Sequence, residues 1–476
     1  MNRMVSLRTT LSLTVALIVC GSTAHSDCPG DIDLSGTVDG SDLATLLGGW
    51  GNAGGSADID GNGIVDGADL AMLLVGWGAC PLPAQERNMV TLLNSATSTA
   101  VDGSLTTVQS WTGAASGSSV GYLRPDGSLV RPCVHAAGVF VSAARGGRIQ
   151  IFNLAGTLVN DLLVSTSEFQ QHHDINLMPN GNILCIAWEA HTQAQGLAAG
   201  RQTLTGPIWP ETILEIQPTG YSTYNIVWRW SLWNHLIQGV NSSLANYGVV
   251  ADHPELVNIN YATVAASGDW IHANSLDYDS VRDQIVLSSR NFNEVWVIDH
   301  STTTAQAATH VGGNSGRGGD LLFRWGNPVT YGRGTSANQS FFTVHSATWI
   351  DAALPGAGNI MAFNNGDRAG TANDYSTVVE LIPPRDALGN YLITAGQPFG
   401  PSAPVWTHGG VGGFYGGMTQ CGAFRTLDNT TLITLTNTGR VFEVTSAGQT
   451  IWEMDVTGQL ARVPRYRLVD GLWIGP

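Results

Sequence analysis

The chain has 476 residues, of which 12% are charged, and a formal net charge of −16 at pH 7. So few charges disfavour a mainly helical protein, and the negative net charge argues against binding to nucleic acid or to anionic membranes. Lysine is absent, which excludes Schiff-base chemistry and a phosphate-binding P-loop, because both need an amine.

The first 26 residues have the features of a secretory signal peptide. Arg3 and Arg8 precede an apolar run at Leu11–Val19, and Ala24 and Ser26 are small residues at the places that a cleavage site needs. We therefore expect an exported protein that begins near Asp27 and is periplasmic, cell-surface or secreted. No later stretch approaches the roughly 18 apolar residues that cross a bilayer, so we expect no membrane span after signal cleavage.

Residues 27–82 contain two copies of one calcium-loop pattern. In each copy, oxygen-bearing residues fall at the positions that ligate calcium, and a glycine stands where the loop must turn sharply. An apolar segment that predicts a short helix follows each loop. The predicted ligands are Asp31, Asp33, Ser35, Thr37, Asp39 and Asp42 in the first loop, and Asp58, Asp60, Asn62, Ile64, Asp66 and Asp69 in the second.

This duplicated pattern resembles the dockerin type I module. The resemblance implies a small α-helical module with two EF-hand-type calcium loops and a cohesin-type protein partner. A calcium-stabilised spacer without a partner is the alternative. Cys28 and Cys80 bracket the module, and a disulfide between them would stabilise a region with little core. Two unrelated thiols are the other possibility for this pair.

Residues 88–476 carry an internal repeat whose unit predicts four short strands. Each copy has an apolar second strand that follows a turn rich in Pro, Asn, Asp and Gly, and its last strand ends near a tryptophan. Five copies are readable, and the length leaves room for a sixth that joins the strands after Asn88 to the C-terminus. We therefore predict an all-β, six-bladed β-propeller. A β-sandwich or a β-helix is the less favoured alternative.

Three histidines take the same place in three copies of the repeat. His173, His272 and His345 each stand four residues before a large apolar residue, on the strand that would line the central channel. Equivalent positions of different blades converge on the propeller axis, so we expect the three imidazoles to share one pocket. Strand alternation is expected to send the neighbouring His172 to the opposite face.

Arg290 is unusual because the sister copies have Trp188, Asn365 and Asn437 in its place. A guanidinium beside imidazoles suits a tetrahedral oxyanion, since its planar fork donates paired hydrogen bonds. One alternative is an ion pair between Arg290 and Glu294 on the blade surface. Another is that the three imidazoles hold a catalytic zinc ion, although an adjacent arginine would repel a dication.

From about Asn88 onward, the chain resembles the bacterial arylsulfate sulfotransferases, which need no sulfonucleotide. The segments that carry the resemblance are His172–Asp174, Trp270–Asn274, Ser289–Glu294, Arg324–Pro328, Tyr331–Gly334, His345 and Pro355–Ile360.

The family resemblance implies a six-bladed propeller in which His345 is the nucleophile and forms a sulfohistidine. It further implies that His173, His272 and Arg290 bind sulfate and move protons, without showing which histidine is the general acid. Asn274 would add a hydrogen bond to the substrate. The propeller active site would need no cofactor.

The sequence therefore favours sulfuryl transfer from a phenolic sulfate ester to a phenolic acceptor. The main alternative is a non-catalytic propeller that binds a ligand and is attached through its dockerin-like module to an envelope or scaffold protein. A metal-dependent hydrolase or oxidase is the third hypothesis.

Overall fold

The computed structural model describes residues 28–33, 37–79, 89–94, 97–142, 144–261, 268–368, 374–456, 460–469 and 472–475. It divides into two compact units, Met1–Glu86 and Arg87–Pro476. The predicted signal peptide, Ser35 and Cys80 lie outside the described residues. Within them, no helix is both long enough and apolar enough to cross a membrane.

The N-terminal unit has two short helices, α1 at Gly40–Gly48 and α2 at Gly67–Val75, and each begins within the last part of one of the two predicted calcium loops. Asp39 and Asp66 cap these helices, because their side chains accept backbone N–H groups of the first turn. Cys28 is disulfide-bonded. The strand Thr37–Val38 pairs with Gly78–Ala79. The buried core of the unit consists of Cys28, Val38, Leu46, Ala57, Val65 and Leu73.

The C-terminal unit is a six-bladed β-propeller in the part of the chain that the structure describes, which confirms the predicted fold. We number the blades in chain order. Blade 1 contains Met89–Leu93, Thr97–Val101, Thr107–Thr112, Arg465–Val469 and Leu472–Ile474. Blade 2 contains Tyr122–Leu123, Leu129–Val134, Gly147–Phe152 and Leu158–Leu163. Blade 3 contains Phe169–Leu177, Ile183–Glu189, Glu211–Pro218 and Tyr224–Ser231.

The remaining blades have four strands each. Blade 4 contains Ala273–Asp279, Gln284–Ser289, Glu294–Asp299 and Phe323–Trp325. Blade 5 contains Val344–Trp349, Ile360–Asn364, Thr377–Leu381 and Trp406–Gly409. Blade 6 contains Gly422–Arg425, Thr431–Leu435, Arg440–Val444 and Thr450–Asp455.

The connections hold short elements outside the blades. Two helices, α3 at Gln193–Ala198 and α4 at Thr304–Ala307, lie in connections of blades 3 and 4. Short 3-10 helices are at Leu232–His235, Val250–Asp252, Pro328–Tyr331 and Ser336–Asn338. Two short parallel pairs join Ile208–Trp209 to Gly268–Asp269 and Leu236–Ile237 to Val257–Asn258.

Blade 1 closes the ring. Its strand Met89–Leu93 pairs with Arg465–Val469 from the other end of the chain, as predicted from the length left over by the five readable repeats. Closure of this kind leaves no long unpaired sheet edge between the first and last blades.

The first strands of blades 3, 4 and 5 lie side by side at the centre. The Asn176 amide of blade 3 donates to Asp277 of blade 4 at 2.7 Å, and the Ala347 N–H of blade 5 donates to the Ser275 hydroxyl of blade 4 at 2.7 Å. The second strands are apolar and buried on both faces, as Ile183–Glu189 is, because each blade packs against two others. The centre therefore brings together residues that are far apart in sequence.

Candidate functional site

The central strands of blades 3, 4 and 5 all depart from regular pairing beside the predicted histidines. The pairing register shifts at 171–175, 273–275 and 345–348. His173 and His272 have φ values of 48° and 54°, in the left-handed region that residues other than glycine rarely adopt. Such bulges occur beside active sites because they re-aim side chains. Here they place the rings of His173 and His272 edge to face, with centroids 4.8 Å apart.

The strand register predicted for His272 was wrong. Leu177 and Trp349 occupy the last pair before the turn of their blades, opposite Ile183 and Ile360. Leu276 lies farther from the turn of its blade, because three more residue pairs stand between it and the turn. His272 joins the other histidines because the bulge shifts the start of its strand, which a count of residues cannot reveal.

His345 has a defined tautomer. Its Nδ1 lies 2.7 Å from Asn365 Oδ1 and 3.0 Å from the Thr343 carbonyl oxygen, and both oxygens can only accept. The proton is therefore on Nδ1, and Nε2 keeps its lone pair. That lone pair accepts the backbone N–H of Gln420 at 3.1 Å. The Asn365 amide is itself fixed, because its Nδ2 donates to the carbonyl oxygens of Gly417 and Gln420.

Burial also holds His345 in its neutral form. Burial is the main reason that the pKa of His345 is lowered to about 3, and the nearby Arg290 and His272 side chains lower it further. The hydrogen bond to Asn365 opposes this shift without reversing it. A neutral imidazole with an unprotonated Nε2 is the form that acts as a nucleophile.

His272 is paired with a carboxylate. Its Nδ1 lies 2.6 Å from Asp269 Oδ2, and the other oxygen of Asp269 accepts the Trp188 indole N–H at 3.0 Å. Burial alone would raise the pKa of Asp269, but the adjacent His272 ring lowers it below its usual value. An ionised Asp269 can balance a second proton on His272, so this ring is suited to proton transfer.

His173 is the partly buried end of a chain of three side chains. Its Nδ1 lies 2.7 Å from Nδ1 of His172, and Nε2 of His172 lies 2.8 Å from Glu211 Oε2. His172 was wrongly predicted to face away from the pocket, because the bulge residues break the strand alternation on which that prediction rested. Burial, followed by the adjacent His272 ring, lowers the pKa of His173 well below its usual value, and burial raises the pKa of Glu211.

Arg290 adds positive charge to this site, since its charge lowers the pKa values of His173 and His345. Its guanidinium makes two long hydrogen bonds, 3.3 Å to Asn291 Oδ1 and 3.5 Å to the Met418 carbonyl oxygen. Such lengths leave donor capacity for an anionic ligand.

The alternative ion pair between Arg290 and Glu294 is not formed. Glu294 lies instead against Arg324, with Nη2 to Oε2 at 2.5 Å, and neither side chain is exposed. This buried pair joins two strands of blade 4 and also contacts the Thr330 hydroxyl, so Glu294 is engaged away from Arg290.

Asn274 lies beside the cluster, but its amide bridges two blades. Its Nδ2 donates to the Val344 carbonyl oxygen at 2.9 Å, and its Oδ1 accepts the Ser288 hydroxyl at 2.5 Å. These contacts tie the strand that carries His345 to blade 4. A hydrogen bond from Asn274 to substrate stays a prediction.

The three channel histidines are not arranged as a metal-ligand triad. Among the described residues, three groups of His, Cys, Asp or Glu have donor atoms within 4.8 Å of one another, and His173, His272 and His345 do not form one of them. The cluster is therefore better suited to acid–base and nucleophilic chemistry than to zinc.

The predicted calcium loops bring carboxylates together. Asp31, Asp33 and Asp42 form one group with donor atoms within 4.8 Å, and Asp58, Asp60 and Asp69 form another. Asp42 and Asp69, at the last loop position, each accept three backbone N–H groups. Clustered carboxylate oxygens fit calcium, which prefers hard oxygen ligands.

Sequence reasoning missed the residues that orient the histidines, namely Asp269, Glu211 and Asn365. Asn365 had been aligned with Arg290, and that alignment could have suggested a polar role in blade 5. Asp269 stands three positions before His272, which is a weak signal. Glu211 lies 39 positions after His172, on a different strand, and no sequence pattern joins the two.

The sequence matches the family model described as arylsulfotransferase (ASST) over residues 126–381. No curated protein matches the chain in sequence.

Several solved structures are similar over most of the chain. One is a protein of unknown function from Bacteroides caccae, at 11% identity and a TM-score of 0.42, covering 79% of this chain and 97% of that one. A second is the periplasmic gluconolactonase PpgL of Pseudomonas aeruginosa, at 12% identity and a TM-score of 0.41, covering 79% and 99%. A third is virginiamycin B lyase of Staphylococcus aureus, at 10% identity and a TM-score of 0.35, covering 79% and 87%. At such scores these similarities carry no argument.

Proposed function

The chain belongs to the arylsulfotransferase family, whose model spans more than half of it, and we propose that it transfers a sulfuryl group between phenols through a sulfohistidine at His345. The donor would be a phenolic sulfate ester and the acceptor a second phenol. The observation that carries this proposal is the tautomer of His345, a buried neutral imidazole that has its proton on Nδ1 and its lone pair on Nε2, where it accepts the Gln420 N–H.

In the first half-reaction, His345 Nε2 attacks the sulfur of the ester. The N–S bond forms, the S–O bond to the phenol breaks, and the bonding electron pair leaves with the phenolate oxygen. The proton on Nδ1 is held by Asn365, which positions the ring and helps to balance the positive charge that the sulfated imidazole gains. The Gln420 N–H contact at Nε2 is given up as the sulfur approaches.

Arg290 is the group that would bind the sulfuryl oxygens. Its planar fork can donate two hydrogen bonds to them, and its charge is not consumed by Glu294. Preorganised donors of this kind stabilise the charge that develops in a transition state.

His272 is the proposed general acid and base. Asp269 at 2.6 Å supports an imidazolium that can protonate the leaving phenolate. In the second half-reaction, the neutral His272 accepts the proton of the incoming phenol. The phenol oxygen then attacks sulfur, the N–S bond breaks and His345 regains its lone pair. Transfer in two half-reactions predicts ping-pong kinetics.

His173 is less suited to hold that proton. Its lowered pKa keeps the ring neutral near pH 7, and Glu211 reaches it only through His172. We therefore assign His173 to substrate contact, with His172 and Glu211 as its positioning residues.

For the N-terminal unit we propose calcium binding in both loops. The carboxylate groups of Asp31, Asp33 and Asp42 support the first site, and those of Asp58, Asp60 and Asp69 support the second. Ser35, Asn62 and the helix-capping Asp39 and Asp66 would complete the sites with the backbone carbonyls of Thr37 and Ile64. Calcium would supply the charge that lets the carboxylates of each loop lie together. A cohesin-type partner, export and signal cleavage are further parts of this proposal.

The test is release of 4-nitrophenol from 4-nitrophenyl sulfate with and without phenol, in the wild type, His345→Ala and His408→Ala. His408 lies on the outer strand Trp406–Gly409 of the same blade, so it is the matched control. We expect phenol-dependent release that His345→Ala abolishes and His408→Ala retains, and a wild-type protein that gains one sulfuryl group in mass with donor alone. Release as inorganic sulfate whatever the phenol would mean a sulfatase, and no release with several donors would favour the binding module.

A further inference from the structure

A second cluster of ligating side chains lies outside the histidine and arginine site. His235 ends the short helix Leu232–His235 that follows blade 3. His310 and Asp320 lie in the segment between the last two strands of blade 4. One donor atom from each of these residues falls within 4.8 Å of the others. We propose that His235, His310 and Asp320 bind a divalent transition-metal ion of the zinc class.

The tautomer of His235 is the first argument for this site. Its Nε2 lies 2.9 Å from the Ala307 carbonyl oxygen, which can only accept, so Nε2 carries the ring proton. The Nδ1 lone pair then points at Asp320 Oδ1, only 2.8 Å away. Two acceptors this close need a cation between them, either a second proton or a metal ion. A backbone carbonyl on the remote ring nitrogen is also the usual support of a metal-bound histidine.

His310 supplies the second argument, because it approaches the same carboxylate oxygen. Its Nδ1 lies 2.7 Å from Asp320 Oδ1, and its ring is perpendicular to that of His235. One oxygen therefore faces two imidazole nitrogens. A single divalent ion bound by this oxygen and the two ring nitrogens would use all three donor atoms. Two imidazoles and one carboxylate are a donor set that zinc takes when a further position stays open.

The surroundings bury His235 and Asp320 and leave the third ligand, His310, accessible. His235 is fully buried and stacks on Trp230, while the side chain of His310 is 60% exposed. A side chain on Gly319 would come within 2.6 Å of His235 Nε2 and 2.1 Å of the Ala307 carbonyl oxygen. Glycine at this position thus allows the contact that fixes the His235 tautomer.

His310 and Asp320 also line a cavity of about 700 Å³. This cavity gives an ion and a water ligand a path to the cluster. His253 and Glu255 line the same cavity and pair with each other at 2.9 Å. His253 is therefore a close histidine that is already engaged, and it provides a matched control.

The experiment is zinc titration of the full protein by calorimetry, after chelator treatment and in buffer with excess calcium. Calcium prefers oxygen-only ligands, so the excess keeps the N-terminal carboxylate loops from taking zinc. We expect one zinc ion per chain in the wild type and in His253→Ala. In His310→Ala, affinity should fall by more than about 100-fold, since loss of an outer partner alone costs about 10- to 100-fold. The exposure of His310 lets this variant fold, which circular dichroism would verify.

Cobalt provides a second measurement that does not depend on affinity or activity. Bound Co²⁺ should give the visible absorption of a four-coordinate ion in the wild type and in His253→Ala, and His310→Ala should lose it. Equal zinc affinity in wild type and His310→Ala, or no zinc binding by the wild type, would overturn the proposal and leave a hydrogen-bonded cluster of His235, His310 and Asp320. Sulfuryl transfer is measured separately, so either proposal can fail alone.

Discussion

Replacing Asp269 by asparagine is the most direct test of the acid–base role proposed for His272. Asp269 accepts two hydrogen bonds, one from the Trp188 indole and one from Nδ1 of His272. Asparagine has a single acceptor oxygen, so one of these donors must face an amide N–H. In either orientation, the variant lacks the negative charge that balances an imidazolium at His272.

The expected size of the effect follows from that contact. A hydrogen bond to a charged group contributes about 1.5–3 kcal/mol, and about 1.4 kcal/mol changes a rate tenfold. We therefore expect kcat/KM for phenyl sulfate to fall about 10- to 100-fold in Asp269→Asn. The phenolate of 4-nitrophenyl sulfate is a better leaving group and needs the proton less, so its loss should be about threefold or less.

The assay is phenol release from both esters at saturating acceptor, with Asp283→Asn as the control. Asp283 also lies 2.6 Å from a histidine, His300, but at the turn that is remote from His272. The control should keep wild-type activity with both esters. If Asp269→Asn lost equal activity with both esters, or none with either, the assignment of His272 as general acid would be refuted.

The other predictions concern the nucleophile and the stability of blade 4. Asn365→Ala removes a hydrogen-bond acceptor from His345. Since one neutral hydrogen bond contributes about 0.5–1.5 kcal/mol, kcat/KM for the donor should drop about 2- to 10-fold. An unchanged kcat/KM would contradict the positioning role of Asn365. Because the pKa of His345 is lowered to about 3, the rate of sulfuryl uptake measured by rapid mixing should not fall between about pH 7 and about pH 5. A loss of rate centred near pH 6.5, the pKa of an ordinary histidine, would contradict the lowered pKa of His345. Burial alone would lower the pKa of His300, but Asp283 and Glu215 raise it to about 9. Unfolded histidine titrates near pH 6.5, so this stabilisation is complete below about pH 6.5 and is lost as the pH rises through about 9. The urea-unfolding gap between wild type and His300→Gln should thus shrink by about 3 kcal/mol from about pH 6 to about pH 10, and a constant gap would show that His300 is not charged in the fold.

The propeller could be predicted from sequence because each blade repeats a local pattern. An apolar strand that is buried on both faces, such as Ile183–Glu189 or Gln284–Ser289, stands out between turns in every copy. Ring closure also followed from length, since five repeats left enough chain for one more blade. Strand register was less predictable, because one or two extra residues at a bulge leave no mark in the apolar pattern.

The sequence predicted the main side chains of the candidate site but not the residues that hold them in place. His173, His272, His345 and Arg290 are chemically distinctive, and equivalent places in repeats converge on the axis. Their partners are not distinctive in sequence. Glu211 reaches His172 from another strand of blade 3 and also accepts the Ala273 N–H of blade 4. Such contacts depend on how blades pack, which a linear pattern does not encode.

These partners explain how two similar histidines can have different chemistry. Two neutral acceptors hold Nδ1 of His345, namely the amide oxygen of Asn365 and a backbone carbonyl oxygen. They fix the tautomer of the ring without stabilising a second proton on it. A carboxylate holds Nδ1 of His272, so that ring can carry the second proton. Arg290 strengthens the difference, because the charge that suits it to bind sulfuryl oxygens also lowers the pKa of His345. One guanidinium can therefore add to the effect of burial in keeping the proposed nucleophile unprotonated, and attract the anionic donor to it.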